Sequence, residues 1–195
     1  MNSKTLKIVV AITGASGAIY AKQLLDFLKH TEHQIDIAYS DNARIVWNDE
    51  LGGKFEDYGY PTYSKKNFKA PFASGSAKYD QMVIIPCSMG TMGRIAHGIS
   101  DDLITRAADV FLKEKRKLIL VPRDTPFNLI HVENMKLLML AGASIIPAIP
   151  SFYSKPKSID EVVNTVVSRV LDQMGIDNDL MKPYEGKIHA PEKDS

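Results

Sequence analysis

The chain has 195 residues, 45% of them apolar, and its 24 basic and 23 acidic side chains leave a formal charge of +1. That size and apolar share suit one domain with a sizeable core, and the balanced charge excludes a field of one sign that would attract nucleic acid or an anionic membrane. The lone cysteine, Cys87, excludes an internal disulfide, and no Cys/His cluster has zinc-ligand spacing, so a soluble protein of the reducing cytoplasm is expected.

No apolar run approaches the ~20 residues that span a bilayer. The run IVVAI after Lys4 and Lys7 stops at Thr13-Gly14 without the small-residue cleavage site of a secretory signal. LKIVVAIT then reads as a first strand leading through Gly14-Ala15-Ser16-Gly17 into a helix over 18–29. QIDIAYS reads as a second strand with Ser40 at its end, followed by a helix through Arg44, Trp47 and Glu50. Residues 52–78, rich in Gly, Pro, Tyr, Ser and Lys, lack periodicity and form a long excursion near the ligand edge.

MVIIP and KLILVP are short apolar runs bounded by Pro and polar residues, the mark of strands buried on both faces of a parallel sheet. A helix over 101–115 lies between them, and a helix over 130–140 and a strand over 144–149 follow. The last helix is the best delimited. Ser158 and Glu161 form an S-x-x-E capping box, Val162, Val163, Val166, Val167, Val170 and Leu171 make an apolar stripe, and Gly175 stops it. From 176 the tail is polar, with Leu180, Met181 and Tyr184 as apolar anchors. The alternation predicts a single doubly wound, mostly parallel α/β domain whose ligands bind beyond the carboxyl ends of the strands.

Gly14 and Gly17 permit a tight strand-to-helix turn that leaves free N–H groups and a positive helix end facing a phosphate or flavin edge, with the Ser16 hydroxyl beside them. Ser40 stands where a dinucleotide fold prefers an acid, which argues for a mononucleotide over NAD. Ser88, Met89, Gly90 and Thr91 offer small or hydroxylated groups for close approach to a ring or phosphate. Cys87 beside them reads as a core residue rather than a nucleophile. Arg123 follows a buried strand at the ligand edge, where a guanidinium grips phosphate through two bonds.

Asp101-Asp102 read as N-cap and first-turn acids of the following helix; they lack a second acid at metal–diphosphate spacing, so no magnesium is assigned. Arg106 and Lys113 share a helix face, with Asp109 placed to pair with Arg106. Arg169 interrupts the valine stripe and lies near the apolar face. Glu50 reads as a candidate buried acid with a shifted pKa. His131 reads as a cap or core hydrogen-bonder.

Taken in order over 7–184, GASG, the Ser40-to-Glu50 spacing, APFASGS, PCSMGT, RAADVFLKE, LVPRDTPFNLIHVENM, PAIPSFY and VVSRVLDQ resemble the UbiX-type flavin prenyltransferases, also labelled aromatic acid decarboxylases. The resemblance implies a flavodoxin-like, Rossmann-like three-layer sandwich that binds FMN. It also implies transfer of a dimethylallyl group from dimethylallyl monophosphate to N5 and C6 of reduced FMN, the product serving a UbiD-type decarboxylase. By the same resemblance Gly14, Ala15, Ser16, Ser40, Ser88, Met89, Gly90, Thr91 and Arg123 hold FMN. Lys113, Tyr153 and Arg169 hold the donor phosphate, Ser16 and Glu50 handle protons, and Phe68 and Tyr184 form an aromatic wall where a π surface stabilises an allylic cation. Asp124 is a donor contact standing where the family pattern usually reads Glu; Phe68 and Tyr184 stand where some relatives have Trp. A homododecamer with shared sites is implied as well.

Two alternatives share the cofactor. FMN-dependent cysteinyl decarboxylases of the phosphopantothenoylcysteine type use a catalytic His and a Pro-x-Met-Asn loop, where this chain reads Val-Pro-Arg-Asp-Thr-Pro. A non-catalytic FMN carrier has no use for Lys113, Tyr153 and Arg169 around a second phosphate.

Overall fold

A computed structural model describes residues 5–181. Its sheet strands are β1 (Lys7–Ile12), β2 (Gln34–Tyr39), β3 (Thr62–Ser64), β4 (Gln81–Cys87), β5 (Lys117–Pro122) and β6 (Ser144–Ile145), in the order β3-β2-β1-β4-β5-β6 with every pair parallel. The helices are α1 (Ala18–Leu28), α2 (Asp41–Leu51), α3 (Met89–Ala96), α4 (Leu103–Lys113), α5 (Leu129–Leu140) and α6 (Ile159–Met174). Strand order reverses between β1 and β4, the crevice where open α/β sheets take their ligands.

Beyond their first residues, Lys7, Gln81 and Lys117, the central strands β1, β4 and β5 are apolar because helices cover both faces. All seven residues of β4 are buried, as are all but the first of β1 and of β5. On one face Leu24, Leu25 and Leu28 of α1 meet Val163, Val166, Val167 and Val170 of α6; on the other, Met92 and Ile95 of α3 and Ile104, Ala107, Ala108 and Phe111 of α4 pack together. The molecule is thus the three-layer sandwich expected.

Several boundaries differ from those read in the sequence. MGTMGRIA, to which no element is assigned above, forms α3, with Ser88 as its N-cap accepting from Thr91 N. The excursion over 52–78 contributes the edge strand β3, while β6 keeps two residues, although Ile146 N and Ala148 N still donate to the Leu120 and Pro122 carbonyls of β5 (both 2.9 Å). Asp102 caps α4 and Asp101 precedes the helix. The α6 box forms by half: Ser158 Oγ accepts from Glu161 N, but Glu161 Oε2 accepts from Lys157 N at 2.6 Å, outside the box. No helix of the described residues is long and apolar enough to cross a membrane.

Candidate active site

Three junctions meet at the carboxyl edge: β1 with α1, β4 with α3, and β5 with the loop before α5. Thr13 fastens the first two, its Oγ1 donating to the Pro86 carbonyl (2.8 Å) and accepting from Ser88 N (2.7 Å). A polar cavity of about 290 Å³ opens beside them, lined by Gly14, Ser40, Asn42, Lys65, Ser88, Thr91 and Arg94 among others. Ser40 and Ser88 cap α2 and α3, so two helix N-termini, with amides that have no intrahelical partner, face one cavity. A Cβ at Gly14 would overlap that of Asn42, so the first loop and the start of α2 are packed tightly together at the cavity.

Arg123 lies over the first loop. Its Cγ is 3.6 Å from where a Gly17 Cβ would stand, and its charge partly offsets the burial that raises the Tyr20 phenol. Its Nε is buried without a hydrogen-bond partner among the described residues. An orphaned guanidinium donor beside the glycine loop fits a flavin mononucleotide, whose ring carbonyls and phosphate supply acceptors. Cys87 is no competitor as a nucleophile, since complete burial pushes its thiol up to about 12.

The α1 amides are not free as expected. Glu50 Oε2 accepts from Gly17 N (2.9 Å) and Ala18 N (2.8 Å), so the carboxylate caps α1 while Gly17 takes the left-handed turn at φ 106°. Glu50 is therefore an exposed capping acid rather than a buried one, bonded to the residue that follows the exposed Ser16. The anion-accepting ends at this edge are those of α2 and α3.

A second cavity, of about 260 Å³, brings Tyr153 and Arg169 together with Ile146, Pro147, Ser151 and Thr165. Ser151 N donates to Thr165 Oγ1 (3.1 Å), which holds the PSFY loop on α6. Arg169 is exposed, paired with Asp172 at 2.8 Å, and does not lie along the valine stripe as its spacing implied, because the stripe turns inward one residue to either side. Lys113 joins neither cavity. It ends α4, about 16 Å from the Asp102 cap, and pairs with Glu114 at 3.3 Å. Arg106 pairs with Asp109, as its spacing foretold.

Asp124 turns back on its own loop, accepting from Thr125 N (2.8 Å), and Phe68 is half exposed on the excursion. Tyr184 lies outside the described residues. Thr13, Lys65 and Arg94 were missed in the sequence; Lys65 sits in an aperiodic stretch, and the segment carrying Arg94 has no helix assigned to it above. Among the described residues no group of three or more His, Cys, Asp or Glu is placed to hold a metal ion.

Residues 1–171 match the Flavoprotein family model. The chain is 47% identical over 182 residues to flavin prenyltransferase UbiX of Methanocaldococcus jannaschii, covering 92% of this chain and 98% of that one. It is 44% identical over 188 residues to flavin prenyltransferase LpdB of Lactiplantibacillus plantarum, covering 92% and 98%. Among solved structures, AnUbiX (PadA1) in complex with FMN and dimethylallyl pyrophosphate superposes with a TM-score of 0.91 at 36% identity, over 94% of this chain and 100% of that one. The dodecameric FMN-dependent UbiX-like decarboxylase of Escherichia coli O157:H7 gives 0.90 at 37%, over 93% and 100%. Fold and site define a flavoprotein of the doubly wound class. Within that class the chain belongs to the UbiX-type flavin prenyltransferases.

Proposed function

We propose that this chain transfers the dimethylallyl group of dimethylallyl monophosphate to N5 and C6 of reduced FMN, making prenylated FMN for a UbiD-type decarboxylase. The observation that carries the reading is the pairing of Tyr153 with Arg169 in a cavity separate from the polar one. A flavin carrier needs one phosphate site; a prenyl transfer needs a second.

Gly14, Ala15, Ser16, Ser40, Ser88, Met89, Gly90, Thr91 and Arg123 hold FMN, which when bound and reduced supplies the nucleophilic N5 and C6. Arg169 and Tyr153 bind the donor phosphate and stabilise the charge that grows on it as the C–O bond breaks, the step for which a monophosphate most needs help. Ser16 and Glu50 manage protons at the flavin edge, Glu50 from its place on the α1 amides. Phe68, Asp124 and Tyr184 complete the donor side. Lys113 serves the site of another copy, since α4 carries it away from the two cavities of its own chain. The exposed apolar residues of α5 supply a surface for that assembly, which we take to be a dodecamer like that of the Escherichia coli relative.

The test is anaerobic mixing of the protein with FMN, dithionite and donor, without added metal. One phosphate released per flavin is expected with the monophosphate. Release of neither phosphate nor diphosphate, with either donor, would overturn the proposal.

A further inference from the structure

The polar cavity carries two cations of unequal standing. Arg94 is largely committed, with four of its five N–H donors used: Nη1 donates to Asp101 Oδ1 (2.7 Å) and Asp102 Oδ2 (2.8 Å), Nη2 to Thr91 Oγ1 (3.3 Å), and Nε to the Gly90 carbonyl (3.4 Å). Two carboxylates offset its single charge, and Asp102 is buried and fixed as the α4 cap. What Arg94 does is orient. Thr91 Oγ1 accepts from both Arg94 and Ser88 Oγ (3.0 Å), so its own hydrogen is left to donate elsewhere.

Lys65 is held differently. Its backbone is clamped on both sides, the N–H donating to the Tyr39 carbonyl (2.9 Å) and the carbonyl accepting from Leu103 N (2.7 Å). Among the described residues its ammonium has one acidic partner, Asp41, at 3.0 Å, and the Asp41 side chain is 57% exposed. An ammonium has three donors, so an anchored stem presents to the cavity a cation with donors to spare. The lining side chains are not basic in sum, because Asp41 and Asp102 balance Lys65 and Arg94. A phosphate dianion here therefore depends on the amides of α2 and α3 and on Lys65, the lining cation with the fewer acidic partners among the described residues.

We propose that Lys65 is the counter-ion of the flavin 5′-phosphate and the residue by which this chain selects FMN over riboflavin, with Asp41 opposing the phosphate. This rests on the FMN reading above. The test is titration of wild type, K65M and D41N with FMN and with riboflavin, followed by flavin fluorescence. K65M should weaken FMN by about tenfold, the size of one charged hydrogen bond, and leave riboflavin unchanged, which also reports an intact fold. D41N should tighten FMN relative to riboflavin. Equal loss of both flavins in K65M, or no loss of FMN, would overturn the role of Lys65, and selective weakening of FMN in D41N would overturn that of Asp41. A wild type that binds riboflavin as tightly as FMN, or binds neither, would overturn the FMN reading itself.

Discussion

Glu50 and Gly14 show what single residues contribute to this site. Glu50 is 33 positions from Gly17, so its capping bond could not be read from local sequence, where N-caps are sought within a few residues of the helix start. Replacing it by Gln keeps an acceptor but loses the ionic part of the cap. We expect Glu50→Gln to lower stability by about 1 kcal/mol, read from urea unfolding, and to slow prenyl transfer while FMN binding persists. Gly14, by contrast, was noticed as a glycine, but for the freedom of its turn. Its actual constraint is the closeness of Asn42, so Gly14→Ala should weaken FMN binding by displacing the start of α2, and unaltered affinity would contradict that packing. Arg169→Ala should reduce kcat/KM for the donor by about tenfold or more, the loss of a charge-assisted bond, with FMN affinity unchanged.

The elements were readable wherever one physical signal dominated. β4 and β5 are apolar runs because both faces are covered, and α6 begins at Ser158 and ends at Gly175. α3 was hidden because its eight residues include two glycines, which are poor helix formers; the Ser88 cap and the packing of Met92 and Ile95 outweigh them. β2 hides a buried acid that the alternation did not flag. Asp36 accepts from Tyr79 Oη at 2.7 Å, and burial raises its pKa against the pull of Tyr79, Tyr63 and Lys7. A raised carboxyl binds its proton more tightly folded than unfolded. Its stabilising contribution is thus complete below the unfolded value of about 4 and is lost as pH rises through the folded one. Urea midpoints of wild type and Asp36→Asn across that range should show the wild type losing ground as pH rises; a constant difference would contradict the burial.

At the scale of the whole molecule, α5 is the element whose sequence and environment disagree. LIHVENMKLLML is mostly apolar, yet only Asn134 and Leu138 of α5 are buried, while Leu129, Ile130 and Leu140 are 73%, 68% and 76% exposed. None of the described residues covers these positions, so what covers them could not be read from the elements of the chain. Lysines at Ile130 and Leu140 together should shift light scattering to a smaller species with far-UV CD unchanged. They should also cut donor turnover more than FMN binding if Lys113 acts across the interface. The claim that joins these scales is that the molecule makes a carbon–nitrogen and a carbon–carbon bond on a flavin. The direct measurement is the mass of the flavin extracted after anaerobic incubation with FMN, reductant and dimethylallyl monophosphate. A gain of one C5H8 unit is the predicted result; unmodified FMN recovered from protein that binds it tightly, with the diphosphate donor equally inert, would contradict the account.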